Sequence, residues 1–162
     1  PIARVKDIID SLERTHLIFP VKPYSKSATG HTKTPWKYYF LTPTILCALR
    51  NNLGVDISNN ADNGTLLETT VAASLFRFVH TSVRPIQVLY DKEKKGNVDF
   101  LIKDGLTGKV IPIEVGANKD TKQVVDAMKR YKSDYGIVVT NCEKSDFSNN
   151  IFKIPVSTFI AL

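Results

Sequence analysis

The sequence predicts an α/β fold in which a small α+β piece precedes a layered domain. Three stretches carry that reading: a 3.6-period apolar stripe over residues 65–80, an alternating hairpin over residues 98–115, and an almost wholly apolar segment at residues 135–140. The first is an amphipathic helix and the second an antiparallel pair, while the third has the continuous apolar character of a strand buried on both faces.

Taken in order, residues 2–14 put Ile2, Val5, Ile8, Ile9 and Leu12 on one stripe of a helix, and residues 17–22 form a short strand. A polar, basic loop with Lys26, His31 and Lys33 fills residues 23–35, followed by an aromatic-rich strand over 36–41. Thr42-Pro43 is a helix start, with Thr at the cap and Pro in the first turn, leading into a helix over 45–50. Helix, strand, long basic loop, strand and helix make half of a winged-helix arrangement, a module whose basic loop contacts backbone phosphate. The other reading is a small packing subdomain with solvated loop charges, since no helix gathers its basic residues on one exposed face. The Asn-rich residues 54–63 are a linker, which divides the chain into 1–53, 54–63 and 64–162.

In the helix over 65–80, Leu67, Val71, Ala72, Leu75, Phe78 and Val79 form the apolar face, and Thr69, Thr70, Ala73 and Arg77 point away. Glu68 falls near the middle of the apolar face. A carboxylate there costs several kcal/mol unless it is paired, protonated or metal-bound. Alternatively, Thr65-Leu66-Leu67-Glu68 is a capping box, with Glu68 folded back on the Thr65 backbone. A strand at 86–90 and a charged turn at 91–95 lead to the hairpin. Beyond it come a helix over 120–131 with Val124, Val125, Met128 and Tyr131 inward, the buried strand, a short strand at 152–155 and a closing helical turn.

The hairpin carries an acid in each arm. Val98, Phe100 and Ile102 share one face, leaving Asp99 with Leu101 on the other, and Glu114 opposes the face of Ile111, Ile113 and Val115. Directly paired residues share a face, so the acids are neighbours only if Lys103 pairs with Val110 across a six-residue connection. Pairing Lys103 with Lys109 would send them to opposite faces. The expected register is the first, or a bulge that restores it.

With 22 Lys plus Arg against 16 Asp plus Glu, the formal charge of the 162 residues is +6, a balance that favours a polyanionic partner without naming one. Cys47 and Cys142 form no C-x-x-C pair, and neither has a histidine at ligand spacing, which argues against a structural zinc or a disulfide framework. No apolar run approaches the roughly 20 residues a membrane span needs, and nothing at the start resembles a signal peptide, so the expected compartment is cytoplasmic. The chain opens at Pro1 already in helical rhythm, the expectation for a piece of something longer. There is no G-x-x-x-x-G-K-[ST] loop for ATP, and His16, His31 and His80 are too scattered for a nucleophilic triad.

An inward acid on a helix, a hairpin with Asp99 and then Glu114-Val115, a basic helix and a buried strand together resemble the restriction-endonuclease-like PD-(D/E)XK fold. More narrowly, residues 37–41 (KYYFL), 64–68 (GTLLE), 98–102 (VDFLI) and 111–115 (IPIEV) resemble the C-terminal region of prokaryotic AAA-type ATPases, in which a winged-helix piece precedes a nuclease-like domain. The resemblance implies a core of helix, three-stranded meander, helix and two strands, an ATPase portion elsewhere in the parent chain, and a Mg²⁺ site made by Asp99 and Glu114 with the Val115 carbonyl. Glu68 would hold a bound water, and Lys22, Lys26, Lys33, Lys37 and Lys122 are the candidate contacts to DNA.

Phosphodiester hydrolysis explains why such residues are needed: hard carboxylate oxygens suit Mg²⁺, and a nearby cation stabilises charge developing on the phosphoryl group. The fold's motif places that lysine two residues after the glutamate, where this chain has Gly116. Lys119 and Lys122, near the start of the next helix, are the candidate substitutes. The missing motif lysine makes a degenerate, non-catalytic module binding nucleic acid or a partner protein the expected function. The alternative is an active Mg²⁺-dependent endonuclease using Asp99, Glu114 and Glu68. A purely structural role would instead have Asp99 capping or pairing with Lys103 or Lys109, and Glu114 pairing with a lysine across the hairpin.

Overall fold

A computed structural model of the chain describes residues 2–25, 35–55, 60–93 and 95–161. The elements in chain order are α1 (Ile2–Arg14), β1 (Ile18–Pro23), β2 (Lys37–Phe40), α2 (Pro43–Asn52), α3 (Asn60–Thr81), β3 (Ile86–Tyr90), β4 (Phe100–Asp104), β5 (Val110–Val115), α4 (Lys122–Tyr131), β6 (Gly136–Thr140), β7 (Asp146–Ser148), β8 (Ile151–Pro155) and α5 (Val156–Ile160). The chain is α/β, with its strands in a single mixed sheet of order β2-β1-β3-β4-β5-β6-β8-β7.

β3, β4 and β5 form an antiparallel meander, while β1 runs parallel to β3, and β6 runs parallel to both β5 and β8. One end of the sheet therefore collects the last residues of β1, β3, β5, β6 and β8 and the first residues of β2 and β4. Asp99 and Glu114 lie at that end. β1 pairs with β2 on one side and β3 on the other, so the strands of the first 53 residues extend the same sheet.

The hairpin takes the expected register: Lys103 pairs with Val110 and Phe100 with Ile113. Residues 104–109 close it, with the Asp104 N–H donating to the Lys109 carbonyl at 2.9 Å and Gly108 at φ +70° providing the left-handed turn residue. The turn after β7 was not expected from its polar sequence. Asn149 and Asn150, at φ +51° and +61°, make the two-residue reversal that pairs β7 with β8, and tolerance of left-handed backbone by asparagine is the signal that marks it.

Two cores lie on opposite faces of the sheet. Phe19, Val21, Tyr39, Phe100, Ile113 and Val139 pack with Val71, Ala72 and Leu75 of α3 and Phe159 of α5, whereas Leu101, Val110, Val138 and Ile151 pack with Val124 and Ala127 of α4. α3 departs from the expected helix in three ways. It starts at Asn60, so the end of the Asn-rich stretch read as a linker supplies its first turn. Thr65 consequently sits inside the helix, and the capping-box reading fails: the Glu68 carboxylate goes to Tyr39 and Lys37. Thr69, Ala73 and Ser74 are buried while Phe78 is exposed, because α2 and α5 flank a helix already lying on the sheet. The buried hydroxyls of Thr69 and Ser74 are satisfied by the carbonyls of Thr65 and Thr70.

α4 sits directly on β6. A Cβ added at Gly136 would lie 2.2 Å from Val124 Cγ1 and 3.1 Å from Met128 Sδ. Gly136→Ala is expected to push α4 off the sheet and destabilise the fold by about 1–3 kcal/mol, seen as a lower urea midpoint at an unchanged slope.

Candidate active site

β4 and β5 bring the two acids together at the sheet end. Asp99 immediately precedes β4, and its Oδ2 accepts the Val115 backbone N–H at 2.8 Å, a bond that exists only in the observed register. Glu114 is 1% exposed, and its Oε1 accepts Lys119 Nζ at 2.5 Å. Its Oε2 is buried and has no hydrogen-bond partner. Asp99 Oδ2 is occupied by the backbone, and among the described residues its Oδ1 accepts no hydrogen bond. Two carboxylate oxygens, one on each acid, are thus left for a ligand.

Lys119 reaches this place from the segment between β5 and α4. Sequence periodicity put it near a helix start, from which it would have had to reach back over a turn. The helix instead begins at Lys122, and the turn at Ala117–Asn118 brings the Lys119 side chain back over Gly116. A Cβ added at Gly116 would lie 2.7 Å from Lys119 Cε and 2.8 Å from its Cγ. The methylenes of Lys119 therefore fill the space a side chain at position 116 would enter, and its ammonium ends on the glutamate two residues before that position.

Glu68 arrives from α3. Its Oε1 accepts Tyr39 Oη at 2.5 Å and Lys37 Nζ at 3.2 Å, and its charge is felt by Asp99, Glu114 and Lys119. Among the described residues, no three His, Cys, Asp or Glu side chains stand close enough together to hold a metal ion as a set. The purely structural pairings of Asp99 with Lys103 or Lys109 do not occur; Lys109 pairs with Asp134.

Of the basic residues, Lys37 lies at the site, Lys22 sits 4.6 Å above the Trp36 ring, and Lys122 opens α4 with its side chain exposed. Lys26, Lys33 and His31 lie outside the described residues. The sequence places Asp91 in a charged turn. It is instead fully buried, taking Arg130 Nη1 and Tyr131 Oη at 2.7 Å and the N–H groups of Glu93 and Val98. Arg130 also donates to the carbonyls of Lys95 and Gly96, so α4 clamps the turn that delivers Asp99. Only the tertiary fold reveals that partner, 39 residues away.

The family model of a domain of unknown function, DUF4143, matches residues 63–159, a stretch that contains Glu68, Asp99, Glu114 and Lys119 but not Lys37 or Tyr39. An uncharacterized protein of Methanocaldococcus jannaschii is 33% identical over 157 residues, covering 96% of this chain and 32% of its own length. The chain thus spans about a third of the curated relative it matches. No solved structure matches it. Among the described residues, no helix is long and apolar enough to cross a membrane.

Charge crowding makes the stability of this cluster depend on pH. Burial, then the charges of Glu114 and Glu68, push Asp99 from 3.8 up to about 7, against the Val115 N–H and Lys119. Burial also raises Glu114, and the rise is opposed by Lys119 and then by the Asp99 backbone N–H, which approaches the carboxylate without making a full hydrogen bond to Oε2. Burial works to lower Lys119, but Glu114 and the other two acids overcome it and keep the amine charged. For Asp99 the folded state binds a proton that the unfolded chain has released, so its contribution is full below about pH 3.8 and is lost as pH rises through about 7. Asp99→Asn keeps an acceptor for Val115. In metal-free buffer it is expected to melt at the wild-type temperature near pH 4 and a few degrees higher at pH 8, as thermal scans across that range would show.

Proposed function

The chain belongs to the DUF4143 family, and we propose that its Asp99, Glu114 and Lys119 form a Mg²⁺-dependent phosphodiester-hydrolysing site of the PD-(D/E)XK kind. The observation that carries this reading is the placement of Lys119 Nζ on Glu114, with its side chain lying across Gly116. The motif cation is supplied from three residues further along the chain. The order α3, β3-β4-β5 meander, α4 and a β6 parallel to β5 supports the same reading.

The donor set fits a hard divalent cation. Glu114 Oε2 is a buried acceptor without a partner, Asp99 Oδ1 is a second free carboxylate oxygen, and Mg²⁺ is commonly bound through one or two carboxylates with water completing the shell. When bound there, Mg²⁺ would offset charge on the phosphoryl oxygens and lower the pKa of the attacking water. The Val115 N–H holds Asp99 so that its second oxygen is presented, and the sheet excludes water from Glu114. Lys119, fixed and charged, stabilises the negative charge that grows on the phosphoryl group. The parent protein is proposed to be a longer AAA-type ATPase with a winged-helix piece ahead of this domain, a reading that rests on the four motifs; the relative's threefold length bears only on a longer parent. The net charge of +6 fits a nucleic acid as the polyanion.

That no third acid among the described residues stands close enough to share a metal ion favours a second reading, in which the domain binds DNA without cutting it. Incubating supercoiled plasmid with Mg²⁺ or Mn²⁺ separates the two. Wild type is expected to nick or linearise it, Asp99→Ala to be inactive, and Lys119→Ala to lose about 10²- to 10³-fold in rate. Equal cleavage by wild type and Asp99→Ala would sink the nuclease reading. Salt-dependent binding without cleavage would establish the non-catalytic one.

A further inference from the structure

Lys37 and Tyr39 lie on β2, outside the stretch the family model matches, yet both touch the one acid that reaches the site from α3. Tyr39 is a core residue, 7% exposed, with its ring 5.5 Å from Phe100 and 6.0 Å from Phe19. Phe100 follows Asp99 directly. The packing that seats the start of β4 therefore also aims the Tyr39 hydroxyl. Lys37, with its ammonium 5.4 Å from the Tyr90 ring centroid, is half-exposed and comes from the rim.

Both donors converge on Oε1 of Glu68 and leave Oε2 without a hydrogen bond among the described residues. Two donors on one oxygen fix the carboxylate plane, and the side chain remains about a quarter exposed. If the contact served packing alone, a buried phenol and a rim ammonium would have no need of the same oxygen. Burial, and after it the charge of Glu68, push the Tyr39 phenol up, so it remains a donor throughout the working pH range.

We propose that Tyr39 and Lys37 are positioning residues of the metal site, orienting Glu68 so that its free oxygen is presented toward the ligands held by Asp99 and Glu114. The site is then composite, and β2 is a working part of it. Outer partners of this kind commonly change metal affinity or activity by 10- to 100-fold. The proposal rests on the metal-dependent reading of the Asp99–Glu114 pair.

The test is a double-mutant cycle read by Mn²⁺ calorimetry on the full chain, with plasmid cleavage as a second readout. Tyr39→Phe keeps the ring and its packing and removes only the hydroxyl. It is expected to weaken Mn²⁺ binding about 10-fold in the wild-type background and to have no effect on top of Glu68→Gln, because the hydroxyl acts through that carboxylate. Lys37→Gln, at an exposed position, is expected to follow the same pattern with a smaller loss, and Lys37→Arg to restore it. Equal losses with and without Glu68→Gln would show a general structural effect and overturn the proposal, as would Mn²⁺ affinity unchanged in both Tyr39→Phe and Lys37→Gln. If wild type itself binds no Mn²⁺, the metal-dependent reading falls and takes this one with it. Binding by wild type that is indifferent to Tyr39 leaves the nuclease reading standing and removes only the role of β2.

Discussion

The pairing of Lys103 with Val110 is the constraint on which the site depends. A strand's side chains alternate, so a slip of one residue would put Asp99 and Glu114 on opposite faces of the sheet and turn either Leu101 or Val110 out of the core under α4. In the observed register, the Val115 N–H meets Asp99 at 2.8 Å and the Gly116 N–H meets the Val139 carbonyl at 3.0 Å. The first bond holds one acid. The second ties the chain to β6 as it leaves β5, which directs the following segment back over Gly116 and delivers Lys119 to the other acid.

Energetics argue that this arrangement is kept for something other than stability. A buried ion pair is often no better than apolar side chains of the same volume, and an acceptor left without a partner costs about 1–3 kcal/mol. Glu114 combines both features, paired through Oε1 and orphaned at Oε2. Asp99 adds a second carboxyl close enough to raise its own proton affinity. A leucine or methionine in place of Glu114 would relieve all three costs. By contrast, the Asp91 cluster is also buried but has every acceptor engaged, by Arg130, Tyr131 and two backbone N–H groups. One acid network has all its acceptors engaged, and the other leaves the Glu114 Oε2 without a hydrogen-bond partner.

How much was legible in the sequence follows from the range of each interaction. The hairpin acids could be read because period-two alternation and a six-residue connection are local, and local geometry determines whether two strand residues share a face. The type and order of the main elements were legible for the same reason. Glu68 was ambiguous because Thr-x-x-Glu satisfies a capping box on paper, and only the extra helical turn contributed by Asn60 and its neighbours removes that reading. Tyr39 and Asp91 gave no signal, since their partners lie 29 and 39 residues away. Lys119 was visible as a nearby cation, but its reach depended on α4 starting at Lys122, a boundary of the kind that periodicity defines poorly.

The two cations divide the acids between them. Lys119 neutralises Glu114, which has almost no contact with water, whereas Lys37 meets Glu68 at the rim, where its own side chain is 43% exposed. Screening makes the rim pair the weaker and more easily exchanged of the two. A phosphate arriving at the sheet end would therefore compete for Lys37 more readily than for Lys119. Tyr39 is held in the core and cannot leave with it, so Glu68 would keep one fixed donor while its second is lent to the substrate. On the proposed function, the same pair of β2 residues would keep the site ordered before binding and let its rim contact rearrange when an anion enters.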